Sequence, residues 1–80
     1  MERFQLRAGE DFIRLGQVLK AVGMVDTGAE AKEVIQEGLV SVNGEKETRR
    51  GKKLHSGDIV SYNGKELQIG QSVEKESKKV

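Results

Sequence analysis

The densest charge in this 80-residue sequence is the pentapeptide Arg49-Arg50-Gly51-Lys52-Lys53, which has four cations in five residues and is called the basic loop below. Lys46 precedes the basic loop, His55 follows it, and the nearest acids, Glu47 and Asp58, lie only at its flanks. Charged loops also increase solubility, but in a loop without an internal acid the cations repel one another unless a bound anion neutralises them. The cluster therefore predicts a surface that binds a polyanion.

Catalysis and metal binding find little support in the residue types present. The single histidine, His55, has neither a cysteine nor a Ser-Asp pair at motif spacing, so a nucleophilic triad is not indicated. One histidine and scattered carboxylates do not make the ligand cluster that a metal ion needs. No glycine-rich phosphate loop of the Walker or dinucleotide type is present. We expect no catalysis, no cofactor and no metal site.

The scarcity of aromatic residues limits the kinds of polyanion that the chain is expected to bind. The chain has no Trp, one Tyr and two Phe, which leaves few side chains on which bases could stack. Recognition of backbone and shape, in a folded or duplex nucleic acid, fits this composition better than recognition of a single strand.

Composition and length predict one small domain. Hydrophobic residues make up 35% of 80 residues, enough for a single core, and the absence of cysteine excludes disulfides. Lys and Arg number 14 against 13 Asp and Glu, so any polyanion site depends on where the cations lie. Apolar stretches run for only two or three residues, which does not suit a membrane span or a secretory signal. We expect a cytoplasmic monomer.

Two short helices are predicted in the first half of the chain. The first helix follows from apolar residues at helical spacing: Phe12, Leu15, Val18, Leu19 and Val22. Asp11 is placed to cap its start, and Gly23 to end it in the left-handed conformation. Thr27 and Glu30 have the spacing of a capping box, which predicts the start of a second helix that Gly38 stops.

Strands are predicted around these helices. Residues 1–11 are interpreted as an arm or short strand, residues 12–70 as the folded domain, and residues 71–80 as a flexible charged tail. Asn43-Gly44 and Asn63-Gly64 each lie between alternating segments and predict two hairpins, because a type I′ turn needs positive φ at both central residues. The elements predict an α+β fold in which a helix pair packs on a small, mostly antiparallel β-sheet.

The order of these elements resembles the S-four RNA-binding domain, or αL motif, a family named after a primary rRNA-binding protein of the small ribosomal subunit. The resemblance covers roughly residues 12–69 and is greatest to the stand-alone, single-domain members. The residues that carry it are Arg14-Leu15, Ala29-Glu30-Ala31-Lys32, the run from Gly38 to Gly44, the segment from Thr48 to Leu54, and Gly57-Asp58-Ile59-Val60. The resemblance implies a non-catalytic domain whose partner is RNA.

Two positions depart from the family's pattern. Gly16 stands where the family has Asp after Arg-Leu, and Thr27-Gly28 stands where the family has Ser-Arg. Thr27 can keep the capping role, but the missing arginine at position 28 removes a cation that the family aims at phosphate. We therefore expect the contact surface to depend more on the basic loop and on Lys32.

The sequence thus predicts a ribosome-associated protein that binds structured RNA, such as rRNA or tRNA. The predicted phosphate contacts are Lys32, Arg49, Arg50, Lys52 and Lys53. Lys46 and the Asn43 side chain, near the hairpin turn, are predicted to add polar contacts, whereas the roles of Arg14 and His55 stay open. The alternative is a protein-interaction module that docks as an accessory on a ribosome or an RNA enzyme.

Overall fold

The computed structural model describes residues 1–71, which form seven strands and two helices. The strands are β1 (Glu2–Leu6), β2 (Ile13–Arg14), β3 (Val40–Val42), β4 (Glu45–Lys46), β5 (Lys53–Leu54), β6 (Ile59–Tyr62) and β7 (Lys65–Gln71). The helices are α1 (Leu15–Ala21) and α2 (Gly28–Gln36). The tail predicted at residues 71–80 lies, beyond its first residue, outside the described residues.

Five strands form the main sheet in the order β1-β7-β6-β3-β4. Its pairs are antiparallel except for β1 and β7, which are parallel, so the predicted α+β fold with a mostly antiparallel sheet is confirmed. Residues 2–6 of the predicted arm are edge strand β1, in which Leu6 is fully buried. β2 and β5 form a separate antiparallel ribbon that the sequence analysis did not predict.

One hydrophobic core joins both helices to the sheet. The fully buried side chains include Leu15, Val18 and Leu19 of α1, Ala31 and Ile35 of α2, and Val40, Leu54, Val60 and Leu67 of the strands. Because the helices bury one face each against the sheet, their other faces and the loops that join them remain at the surface. Neither described helix is long and apolar enough to cross a membrane.

The start of α1 differs from the prediction. The helix begins at Leu15 rather than near Phe12, and its N-cap residue is Arg14 rather than Asp11. The physical reason is a long-range one: the Leu15 and Gly16 N–H groups donate to carbonyl oxygens of the basic loop. The first free N–H groups of the helix are therefore satisfied by a distant segment, and the residues before Leu15 pair as strand β2.

The helix stops and the hairpin turns follow the predictions. Gly23 and Gly38 end α1 and α2 with φ of +79° each, the left-handed conformation that glycine adopts at little cost. Asn43 and Gly44 have φ of +53° and +85°, and the second Asn-Gly pair has +54° and +76°. Both pairs have the positive φ of type I′ turns, so both predicted hairpins are confirmed.

The second helix begins as predicted, with one change in the cap. Thr27 Oγ1 accepts a hydrogen bond from the Glu30 N–H at 3.0 Å. The Glu30 carboxylate accepts from the Asp26 N–H at 2.9 Å, one residue before the N-cap, instead of from Thr27. The cap therefore satisfies two backbone donors and fixes the chain's entry into α2.

Replacing Thr27 by alanine should destabilise the fold by about 1 kcal/mol, because the Glu30 N–H loses its partner. For a domain of this size the melting temperature should fall by roughly 4–8 °C. Thermal unfolding followed by circular dichroism measures the change. Thr48→Ala is the matched control, since Thr48 is exposed and the structure describes no side-chain hydrogen bond for it. Equal melting temperatures for the two variants would contradict the assigned cap.

Candidate nucleic-acid interface

The basic loop is fixed against the N-terminus of α1 by its own backbone. The carbonyl oxygen of Lys52 accepts from the Leu15 N–H at 2.9 Å, and that of Arg50 accepts from the Gly16 N–H at 3.0 Å. A turn closes inside the loop where the Lys52 N–H donates to the Arg49 carbonyl at 3.2 Å. Because its backbone is bound in this way, the loop presents its cations from a defined position rather than from a loose segment.

Gly16 makes room for the side chain of Arg50. A Cβ atom at position 16 would lie 2.5 Å from Arg50 Cγ and 3.2 Å from Arg50 Cδ, too close for either atom to stay in place. The aliphatic part of Arg50 therefore crosses α1 where the helix carries no side chain. This contact gives a physical reason for glycine at the position where the sequence departs from the family's pattern.

A groove of 440 Å³ lies between α1, the first residue of α2 and the basic loop. Among residues 1–71 its lining is Arg14, Gly16, Gln17, Lys20, Gly28, Arg50 and Gly51, which includes three cations and no acid. Gly28 begins α2, so the N-terminus of that helix, the positive end of its dipole, borders the groove. The groove is electropositive and suits an anionic group.

Two further hollows continue from the groove along the basic loop. The first, of 470 Å³, is lined by Arg49, Gly51, Lys52 and Lys53. The second, of 140 Å³, is lined by Val42, Asn43, Glu45, Lys46, Glu47, Lys52 and Asp58. Gly51 and Lys52 are shared between neighbouring hollows, so the three form one band. Its last hollow carries three carboxylates and is the least favourable to phosphate.

The structure distributes the predicted site residues unevenly along this band. Arg50 lines the groove, and Arg49, Lys52 and Lys53 line the hollow beside it. Lys32 is exposed on α2 one turn beyond Gly28, on the helix face that leads to the groove.

Lys46 lies apart from the groove. Its side chain crosses Gly38 at the C-terminal end of α2, where a cation interacts favourably with the negative end of the helix dipole.

Asn43 has partners within the protein. Its Oδ1 accepts from the Ile59 N–H at 2.9 Å, and its Nδ2 donates to Asp58 Oδ1 at 3.0 Å. These bonds tie the first hairpin turn to the start of β6. We propose that Asn43 positions the hairpin rather than contacting RNA directly, which revises its predicted role.

Sequence reasoning missed four groove residues: Gly16, Gln17, Lys20 and Gly28. Gly16 and Gly28 were noted only as departures from a pattern. Arg14, Gln17 and Lys20 recur at every third position, which places polar side chains along one face of a helix. This spacing is the signal that could have identified the two polar residues.

Glu47, which flanks the basic loop, forms an ion pair with Arg49 of that loop. The sequence did not predict this pairing. Arg49 Nε lies 2.9 Å from Glu47 Oε2, and the Arg49 N–H donates to the same oxygen at 3.0 Å. The hydrogen bond from Arg49 lowers the pKa of Glu47, and the same contact raises the pKa of Arg49. The contact therefore stabilises the fold above the usual pKa of Glu, and this contribution is lost as pH falls through the lowered folded-state value.

Glu47→Gln should strengthen polyanion binding by roughly two- to fivefold at low salt, because it removes a competing charge and frees the exposed Arg49 from its ion pair. The glutamine retains an oxygen that can accept from the Arg49 N–H. Glu45→Gln makes the same charge change in a neighbouring exposed residue that does not bind Arg49. If titration with a structured RNA gives both variants the same gain, the effect is one of net charge alone.

Gly16→Ala should weaken binding of the same RNA by roughly fivefold, the equivalent of one charged contact worth about 1 kcal/mol. The added methyl group displaces the Arg50 side chain from its place over α1 without changing the charge of the protein. Gly28→Ala is a close control, because it adds the same group to another groove residue whose Cβ position has no atom within 4 Å. Equal losses in the two variants would show that groove width matters and the position of Arg50 does not.

Among residues 1–71, no group of three or more His, Asp or Glu side chains is placed to hold a metal ion. His55 is exposed, and its backbone N–H donates to Asp58 Oδ2 at 2.8 Å. In the described part of the site, the groups available to a ligand are therefore the cationic side chains, held in place by the hydrogen bonds between the basic loop and α1.

The comparisons with known proteins agree on one family. The model of the S4 domain matches residues 4–70. The "Probable ribosome maturation protein RlbA" of Bacillus subtilis (strain 168) is 43% identical over 54 residues, which cover 68% of this chain and 76% of that protein. YbcJ of Escherichia coli (strain K12), named as a candidate RNA-binding protein, is 40% identical over 57 residues, which cover 71% of this chain and 81% of YbcJ.

A solved structure supports the fold. The solution structure of YbcJ from E. coli, described as revealing an αL motif involved in RNA binding, superimposes with a TM-score of 0.68 at 37% identity. The match covers 88% of this chain and 87% of that chain. The resemblance to the S-four domain that the sequence indicated is confirmed.

Proposed function

Because this chain belongs to the S4 domain family, we propose that it binds structured RNA, of the rRNA or tRNA class, through the groove and the basic loop. The observation that carries the proposal is the attachment of the basic loop to the N-terminus of α1, which places its cations beside a groove whose described lining contains no acid. The relatives named for RNA binding and for ribosome maturation support the same class of partner.

The proposed contacts follow the band of hollows. One phosphate occupies the groove, where Arg14, Lys20 and Arg50 surround it and the first residues of α2 offer backbone N–H groups. The next phosphates lie along the hollow of Lys52 and Lys53. Phosphate contacts of this kind fix the orientation of an RNA without specifying its sequence.

The cations differ in their expected contributions. Arg50 is held over α1 in its binding position and loses little side-chain freedom on binding, since its stem is already packed against Gly16. Arg49 must first exchange its bond to Glu47 for one to phosphate. Lys32 is proposed to extend the surface along α2, and Lys46 to act at the periphery. The proposed role is binding without catalysis, in a ribosome-associated process.

Titration of purified rRNA fragments and tRNA with this protein, at several salt concentrations, tests the proposal. We expect binding whose affinity falls steeply with salt, because lysine and arginine contacts release counterions from the RNA. Cross-linking in cells followed by sequencing of the bound RNA then identifies the RNA. Absence of RNA binding at low salt would contradict the proposal and favour the protein-interaction module.

A further inference from the structure

One aromatic ring lies on the outer face of the β2–β5 ribbon. Ile13 is paired with Leu54, which is fully buried, and Arg14 is paired with Lys53. Because side chains alternate along a strand, Ile13 and Leu54 point toward the core and the flanking residues point away from it. The outward set is Phe12, Arg14, Lys53 and His55, which we call the aromatic face.

The contacts within the aromatic face agree with this register. The Phe12 and His55 ring centroids are 6.3 Å apart, with the rings tilted by 55°. Lys53 Nζ lies 4.8 Å from the centroid of the Phe12 ring, and Arg14 Cζ lies 5.6 Å from it. Two cations and an imidazole therefore surround one phenyl ring.

The core does not account for Phe12. Phe4 and Ile13 pack against the buried cluster, whereas Phe12 is half-buried and is absent from the set of residues that contact it. The described contacts of its ring are with Lys53, Arg14 and His55. Phe12 therefore lies outside the apolar core, and its ring is covered by cations that can move aside.

We propose that the aromatic face binds one unpaired nucleobase of the RNA. The inference rests on the proposed function. Arg14 lines the groove and Lys53 lines the neighbouring hollow, so a backbone that follows the band passes beside the Phe12 ring. A base turned out of this backbone stacks on Phe12 with His55 at its edge, while Arg14 and Lys53 exchange their contact with the ring for contacts with the flanking phosphates.

Two RNA hairpins test the inference. They share one sequence, except that the first has a single bulged 2-aminopurine and the second has none. The wild-type protein should bind the bulged hairpin about tenfold more tightly, the order expected for one stacked base, and should quench the 2-aminopurine fluorescence. Phe12→Leu should abolish the preference and the quenching but leave binding to the second hairpin unchanged, whereas Phe12→Tyr should retain both.

The outcomes separate the inference from the proposed function. Two results would overturn base binding at the aromatic face and leave the proposed function standing: equal binding of both hairpins by the wild-type protein, or an undiminished preference of Phe12→Leu for the bulged hairpin. Binding of neither hairpin overturns both. Thermal unfolding confirms that each variant is folded. If Phe12→Leu does not fold, His55→Ala gives the second test and should reduce the preference several-fold.

Discussion

An Asn43→Ala variant should lose about 2–3 kcal/mol of unfolding free energy, most of it from two broken hydrogen bonds and the remainder from left-handed backbone strain. The side-chain amide of Asn43 accepts a hydrogen bond from the Ile59 N–H and donates one to Asp58. These two hydrogen bonds link the first hairpin to the start of β6. Alanine at a φ of +53° also lacks the tolerance that asparagine has for this conformation. A small domain should show the loss as a fall in melting temperature of roughly 10–20 °C.

Asn63→Ala separates the two causes. Asn63 occupies the same turn position with a φ of +54°, and within residues 1–71 its amide makes no side-chain hydrogen bond. We expect this variant to lose only the strain component, about 1 kcal/mol. Chemical denaturation gives both values. Equal losses would contradict the positioning role of Asn43, and a loss of RNA affinity in folded Asn43→Ala would restore its predicted direct contact.

The double variant Arg49→Ala/Arg50→Ala should bind structured RNA roughly ten- to a hundredfold more weakly at low salt, because it removes two charged contacts with phosphate. Its stability should change by less than about 1 kcal/mol, since the carbonyl of residue 50 still accepts from the Gly16 N–H.

Arg3→Ala/Lys65→Ala is the charge-matched control for the double variant. These two exposed cations line a separate open hollow, and Arg3 lies on the edge strand opposite the one that leads into the basic loop. Fluorescence anisotropy with one labelled RNA compares the two double variants. Comparable losses would attribute binding to overall charge and contradict the assigned surface.

The features that sequence predicted are those with local causes. The Thr27 cap depends on Glu30 three residues later, and each hairpin depends on an adjacent Asn-Gly pair. The glycine that ends each helix follows directly after the last turn. In every case the signal and the structure lie within one turn of chain, so no knowledge of the remaining fold was needed.

The features that sequence missed have causes far apart in the chain. Phe12 has helical spacing with Leu15, but the segment before Leu15 extends because it pairs with β5 and because the basic loop binds the first N–H groups of α1. The apolar pattern alone could not show that these donors already had partners. The aromatic face could not be predicted from the sequence for the same reason, since its residues come from two segments that are distant in the chain.

The site was predictable in charge but not in shape. The basic loop is evident from the order of residues 49–53, and three of its cations line one hollow. The groove requires α1, α2 and the loop to meet, and the meaning of Gly16 depends on Arg50 crossing it. The pairing of Glu47 with Arg49 was within reach of the sequence, because residues two apart in an extended segment point to the same side.

The salt dependence of RNA binding tests the central claim most directly. The logarithm of affinity should fall linearly with the logarithm of salt concentration, with a slope of about 0.7–0.9 per neutralised phosphate. If Arg49 and Arg50 each neutralise one, Arg49→Ala/Arg50→Ala should shallow this slope by roughly 1.4–1.8, and Arg3→Ala/Lys65→Ala should leave it unchanged. Equal slopes for the wild-type protein and the loop variant, or equal reductions in both double variants, would contradict an RNA interface at the basic loop.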